Sequence, residues 1–457
     1  MGSRLSDSAS YAHLWGTPEA RAVFDDDARL ASWLRILVAL AAAQAELGII
    51  PASSAKAIAA NARAERLDTD AIAEETRRTS HSTLGLIHAL QQTLPPDAAE
   101  HVYYGATVQD LTDNWTVLAL RDTGSLIWTD LRRLAVGLVT LADQHRTTLM
   151  PARTHGQPGA PMTFGLKAAS WADEVTRHIE RLDEGRARWL VGQLGGAVGT
   201  LGFFGEVGPA LRARFCARLG LADPHVPWLT CRDRLAEFAN VLAMITSTMA
   251  RIGNEVLELQ RPEIGELREV ADPDTVGSIT MPHKRNPERS EHLDTLARLT
   301  RANASVLTES MVQLHERDGR GWKAEWIAFP EVCLLTCTSV RMACELIERL
   351  DIDVTRMASN VADGGDLLAS ERVLARLSAR LGKHRAQAEL QRVLGEAQRH
   401  GRSLPDAVKA AGLLTADELA DAIGDTSLAV SEHAIDHVSS RVHHLLTTLG
   451  DEWATSR

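Results

Sequence analysis

A hydroxyl, an ammonium and an amide stand close together in Gly277-Ser278-Ile279-Thr280-Met281-Pro282-His283-Lys284-Arg285-Asn286-Pro287. Glycine at one end and two prolines predict a loop, and Gly277 allows close backbone approach. A serine hydroxyl is a weak base unless N–H groups or a cation stabilise its oxyanion. Lys284 and Asn286, two positions apart, could receive negative charge as it develops on a bound group. A second set is Arg153-Thr154-His155-Gly156-Gln157-Pro158. Its histidine can give up a proton near neutral pH, which suits protonation of a departing group. Such an acid needs a partner that sets its pKa and tautomer. Glu263-Ile264-Gly265-Glu266-Leu267-Arg268-Glu269 supplies carboxylates, although read alone it is equally a solvated helix end. Tyr104-Gly105-Ala106-Thr107-Val108-Gln109-Asp110 and His315-Glu316-Arg317 add hydrogen-bonding groups and a guanidinium able to hold an anion through two bonds.

Long helices must carry these groups. Ile127, Leu131, Leu134, Leu138 and Leu141 step by four and three, as do Leu235, Phe238, Leu242, Ile245, Met249, Ile252, Val256 and Leu259. Such steps fall on one helical face. The second stripe predicts a helix over roughly 232–260, on the order of 40 Å long. A third helix is expected over about 161–190. Helices of this length imply a bundle, and one shared between subunits is expected. Strand-like alternation is confined to very short pieces.

The chain has 457 residues, 45% hydrophobic and 24% charged, as expected of a globular protein with two or three domains. Sixty acidic against 49 basic residues give a net charge of −11 without a basic block, which argues against nucleic acid as a partner. An acidic chain that binds an anion must gather cations locally. Five cysteines form no CxxC pair, and Cys333, Cys337 and Cys344 lie at helical spacing in an apolar segment, so buried thiols in a reducing compartment are expected. Residues 1–15 lack an apolar signal core, and the run Ile36 to Ala43 is far short of the ~20 residues that cross a bilayer. A cytoplasmic protein without a membrane partner is the expectation. No metal-binding, P-loop or Gly-x-Gly-x-x-Gly pattern occurs, and the chemistry above needs no cofactor or metal.

Taken together, the motifs resemble the fumarase/aspartase superfamily, whose signature loop reads G-S-S-x-M-P-x-K-x-N-P. Met281-Pro282-His283-Lys284-Arg285-Asn286-Pro287 is most similar to the branch of 3-carboxy-cis,cis-muconate cycloisomerase and adenylosuccinate lyase. Arg153-Thr154-His155 with Gln157 resembles that family's R-T-H-x-Q segment, and Gly105-Ala106-Thr107 its G-A-T-S-x-D segment. The resemblance implies an all-α fold: an N-terminal helical domain (1–106), a central long-helix bundle carrying the motifs (107–355) and a C-terminal helical domain (356–457). It implies a homotetramer around a twenty-helix core, with each active site drawn from three subunits. It assigns Ser278 as base, His155 as acid or its orienter, and Glu266 as the carboxylate beside His155. Thr107, Gln109, Arg153, Thr154, Gln157, Lys284, Asn286, Met281, His81 and Arg317 become substrate contacts.

The implied reaction is anti β-elimination, or the reverse addition, on a substituted succinate or related di- or tricarboxylate. It would release fumarate or a similar alkene and a leaving group such as an amine or nitrite. Lactonisation of a carboxymuconate is the alternative, and a catalytically inactive structural tetramer a third reading. Two family serines are replaced by apolar residues, Val108 and Ile279, which points to an unfamiliar substrate or to drift beside the site. The Thr79-x-His81 pair lacks the Asp that follows in adenylosuccinate lyases, because residue 82 is Ser.

Overall fold

The computed structural model describes residues 4–272, 274–424 and 428–453. The outermost residues of the first and third expected regions, 1–3 and 454–457, lie outside these. The principal helices are α1 (Asp26–Glu46), α2 (Val108–Gln144), α3 (Phe164–Trp189), α4 (Asp233–Leu259), α5 (Glu288–Glu309), α6 (Gly319–Glu348) and α7 (Ala429–Thr448). Helix dominates, and the strands among the described residues are short, as in β1 (Leu149–Thr154) paired antiparallel with β2 (Gln157–Thr163).

The two apolar stripes do what their spacing predicts. Every residue of both is buried in a single cluster shared by α2, α3, α4, α5 and α6. Cys333, Cys337 and Cys344 lie in the same core as free thiols, whereas Cys231 is exposed. A second apolar cluster joins α1 to the start of α2 through Leu34, Leu37, Leu111 and Leu118. A third, smaller one gathers Val373, Leu377, Leu390, Val393, Val408 and Leu419. α7 returns from that region to the bundle, where Ile435, Val438, Val442 and Leu445 enter the main core.

The third helix begins a little later than expected. Residues 157–163 extend as β2, and Thr163 caps α3 by accepting the Leu166 N–H at 3.1 Å. α1 and α6 are long and apolar enough to cross a bilayer by length and composition. Core helices pass the same test, and both bury their apolar faces in the clusters just described.

Candidate active site

Three groups of side chains emerge from three kinds of local structure. The first forms where α2 begins. Gly105 turns the chain at φ +70°, and a Cβ there would lie 2.4 Å from the Phe204 ring. Thr107 occupies the N-cap and donates its backbone N–H to Asp110 at 2.9 Å. Asp110 is buried and also accepts the N–H groups of Gly195 and Gly196 at 2.7 and 3.1 Å. Burial pushes its carboxyl up to about 7, against the pull of those N–H bonds and with a smaller upward push from Asp113.

Arg317 comes to this helix start from the approach to α6. It donates to Gln109 Oε1 at 2.8 Å, Thr107 Oγ1 at 3.0 Å and the Ala197 carbonyl at 3.1 Å. All three acceptors are neutral. Among the described residues Arg317 has no carboxylate partner, although most arginines of this chain have one. A guanidinium held in place yet not neutralised is a receptor for an anion. Three residues singled out from the sequence, Thr107, Gln109 and Arg317, thus meet in one chain.

The second group lies on the β1–β2 hairpin. Thr154 pairs with Gln157 across a two-residue turn, His155-Gly156, in which both residues have positive φ (+52° and +74°). This is the turn whose twist matches a right-handed hairpin. It lifts Thr154, His155 and Gln157 into solvent. Arg153, the next residue inward, points the other way. It makes a two-bond ion pair with Glu266 at 2.6 and 2.8 Å, and Asn360 donates to the same carboxylate at 2.7 Å.

The expected partnership of Glu266 with His155 is therefore not the one observed. Glu266 is fully buried and its oxygens are taken up by Arg153 and Asn360, so it anchors the base of the hairpin rather than the imidazole at its tip. Arg153 is likewise engaged inward and not displayed beside Thr154.

The third group is the signature loop. Ser278 Oγ accepts the Met281 N–H at 3.0 Å, and Asn286 Nδ2 donates to the Gly277 carbonyl at 3.0 Å. Gly277 is needed here, because a Cβ would meet the Lys284 carbonyl at 2.5 Å. Lys284 is exposed and makes no ion pair among the described residues. Ile279 is 92% and Met281 42% exposed. No hydrogen bond or ion pair among the described residues joins Ser278, His155 and the Thr107–Gln109–Arg317 group to one another. His81 stands apart from all three groups in the same sense: its N–H donates to Thr79 Oγ1 at 3.3 Å, and its Nδ1 is buried without a partner. No cluster of three or more His, Cys, Asp or Glu suited to a metal ion occurs among the described residues.

One feature beside the site escaped the sequence reading. Arg232 is buried and grips two carboxylates: Asp113 at 2.9 and 3.0 Å, and Glu325 from its Nε at 2.9 Å and its Nη2 at 2.5 Å. Burial works against its charge, but the two acids outweigh that and raise its pKa; burial raises that of Glu325. Charged residues facing inward at Asp113 and Glu325, on helices otherwise patterned for a core, were the available signal.

Comparison with known proteins adds three findings. A family model described as lyase matches residues 15–299. N-acetyl-S-(2-succino)cysteine lyase of Dickeya dadantii is 40% identical over 84% of this chain and 85% of its own, and nitrosuccinate lyase of Streptomyces davaonensis 38% identical over 90% of each. The crystal structure of 3-carboxy-cis,cis-muconate lactonizing enzyme from Pseudomonas putida superposes with a TM-score of 0.85 at 34% identity, covering 94% of this chain and 98% of that one. The signature loop, the hairpin and the helical bundle thus belong to an enzyme, and the chain is a member of the lyase family within the fumarase/aspartase superfamily.

Proposed function

We propose that this lyase performs anti β-elimination, or the reverse addition, on a 2-substituted succinate or closely related polycarboxylate. The observation that carries the reading is Arg317, fixed by Thr107 and Gln109 and without a carboxylate partner among the described residues. It holds the carboxylate far from the reacting carbon. Ser278 removes the proton beside the other carboxylate, and the Met281 N–H already directed at Ser278 Oγ supports a stabilised oxyanion. Lys284 and Asn286 receive the charge that builds on that carboxylate. The electron pair from the broken C–H bond forms the alkene, the leaving group departs with its own pair, and His155 protonates it. Thr154, Gln157, Met281 and His81 contact substrate, while Arg153 and Glu266 hold the hairpin.

The leaving group is a thiol, an amine or nitrite, the thiol and nitrite being in line with the names of the relatives. The groups are completed by assembly into a homotetramer in which three chains build each site, and the exposure of His155 and Ile279 supports this. The reading includes a cytoplasmic location, no cofactor, and neither nucleic acid nor membrane as partner. It also divides the chain at 106/107 and 355/356, the second boundary with support from the separate apolar cluster of residues 373–422.

Lactonisation of a carboxymuconate is the second reading, favoured by the TM-score of 0.85 to the lactonizing enzyme. One panel tests both. Aspartate, adenylosuccinate, argininosuccinate, nitrosuccinate, an S-(2-succino)cysteine and 3-carboxymuconate are followed through alkene absorbance, with Ser278→Ala as control. Turnover of a substituted succinate is the expected result. Turnover of the muconate alone selects lactonisation, and activity that survives Ser278→Ala removes the assigned base. No turnover of any member selects the inactive structural tetramer.

A further inference from the structure

We propose that the buried Asp113–Arg232–Glu325 triad positions the Thr107–Gln109–Arg317 group that holds the carboxylate, with Arg232 as its centre. The inference rests on the functional reading above. Each member of the triad sits on a segment that also builds the subsite. Asp113 lies one turn beyond Gln109 on α2, and Glu325 lies on α6 just past Arg317. Arg232 ends the loop whose Leu229 carbonyl accepts from Gln109 Nε2 at 2.9 Å.

A fourth segment joins through the ring beneath Arg232. The guanidinium sits 5.0 Å over Trp228, whose N–H donates to Gln193 Oε1 at 3.1 Å and whose Nε1 donates to the Gly192 carbonyl at 2.8 Å. From there the chain runs through Gly195 and Gly196, bonded to Asp110, to the Ala197 carbonyl that receives Arg317. Four segments that touch the subsite therefore converge on one buried cation.

Stability does not account for this arrangement. A buried ion triad gains little over well-packed apolar residues of the same volume, because desolvation offsets the attraction. It does impose geometry, since forked bonds tolerate little rotation. Without the guanidinium, two carboxylates would face each other in a buried space. Their separation would draw α2 from α6, whereas Gln109 and Arg317 must stay 2.8 Å apart. Asp113, Arg232 and Glu325 are thus positioning residues that act through others.

The test is fumarate binding by calorimetry on the full chain, together with KM and kcat on the panel substrate that is turned over. Arg232→Met is expected to weaken fumarate binding and raise KM about tenfold or more, with kcat within about threefold. Arg232→Lys keeps the charge without the fork and falls between. If Arg232→Met does not fold, Glu325→Gln retains an acceptor and is expected to weaken fumarate binding by about threefold. Unchanged fumarate affinity in a folded Arg232→Met, or in Glu325→Gln where that is the variant that folds, overturns the proposal, as does a loss confined to kcat. Arg317→Gln separates the two levels. If it leaves fumarate binding intact, the functional reading fails. If it abolishes binding while the triad variants do not, only the positioning role fails.

Discussion

The two ends of the proposed site are built in opposite ways. The Thr107–Gln109–Arg317 group rests on a helix N-terminus, two glycine N–H bonds and a buried ion triad, all within one chain. Ser278 and His155 ride on an exposed loop and an exposed hairpin turn, tied mainly to their own neighbours. The binding half is preorganised, and the half that moves protons is displayed for something else to complete. Order in the first costs little at the moment of binding. Exposure of the second is what the proposed assembly requires, in which a further chain and the substrate close around it.

That contrast predicts where mutations act. Ser278→Ala should cause the largest effect, a loss of about 10³-fold in kcat, typical of removing a proton-transfer group. Its melting temperature should stay within about 2 °C of the parent, because a half-buried hydroxyl with a single bond from Met281 contributes little stability. A melting temperature that falls with activity would mean that the loop is part of the rigid half. Arg317→Gln should come next, losing about 10- to 100-fold in kcat/KM, mainly through KM, as expected for a charged hydrogen-bond donor. A loss mainly in kcat would move Arg317 from holding substrate to stabilising the transition state.

Gly105→Ala tests the rigidity of the first half directly. The position needs φ +70° and a Cβ would approach the Phe204 and Phe203 rings to 2.4 and 2.6 Å. The expected cost is about 2–3 kcal/mol in a denaturant titration. A change below ~0.5 kcal/mol would show that the turn yields and that the subsite is softer than its hydrogen bonds imply.

The halves also differ in how legible they were. Heptad-like stripes marked the bundle because every one of their side chains turns inward. Motif resemblance singled out Ser278, His155 and Thr107, but it carries no direction. Arg153 and His155 are two residues apart, yet the turn sends the first toward Glu266 and the second into solvent. The partnership drawn for Glu266 missed this, because an arginine nearer the hairpin base claims the carboxylate first. The last three residues of β2 were taken into the following helix because a strand of seven residues with two prolines shows no alternation. The ion triad left only that faint signal, because Asp113 and Glu325 lie 119 and 93 residues from Arg232 and only the fold brings the three together. Val108, half-buried, and Ile279, almost wholly exposed, mark the same divide. Apolar replacement at Val108 adjusts packing beside a formed subsite. At Ile279 it presents an apolar side chain to whatever covers the loop.

A further expected effect concerns Asp110, which ties α2 to the glycine turn. Its pKa of about 7 in the folded chain lies above the ordinary aspartate value of 3.8. Between these values the folded state binds more protons than the unfolded one, so the contribution of Asp110 to stability falls as pH rises from about 4 to about 7 and is level beyond. Asp110→Asn cannot titrate, so the difference in unfolding free energy between parent and variant should shrink on going from pH 4 to pH 7. The variant should be the less stable of the two at acid pH, because an amide presents one acceptor oxygen to the three N–H groups of Thr107, Gly195 and Gly196. Denaturant titrations of both proteins across this range measure the difference directly. Parallel curves would mean that water reaches the carboxylate, and the supposedly rigid half would then breathe at its innermost tie.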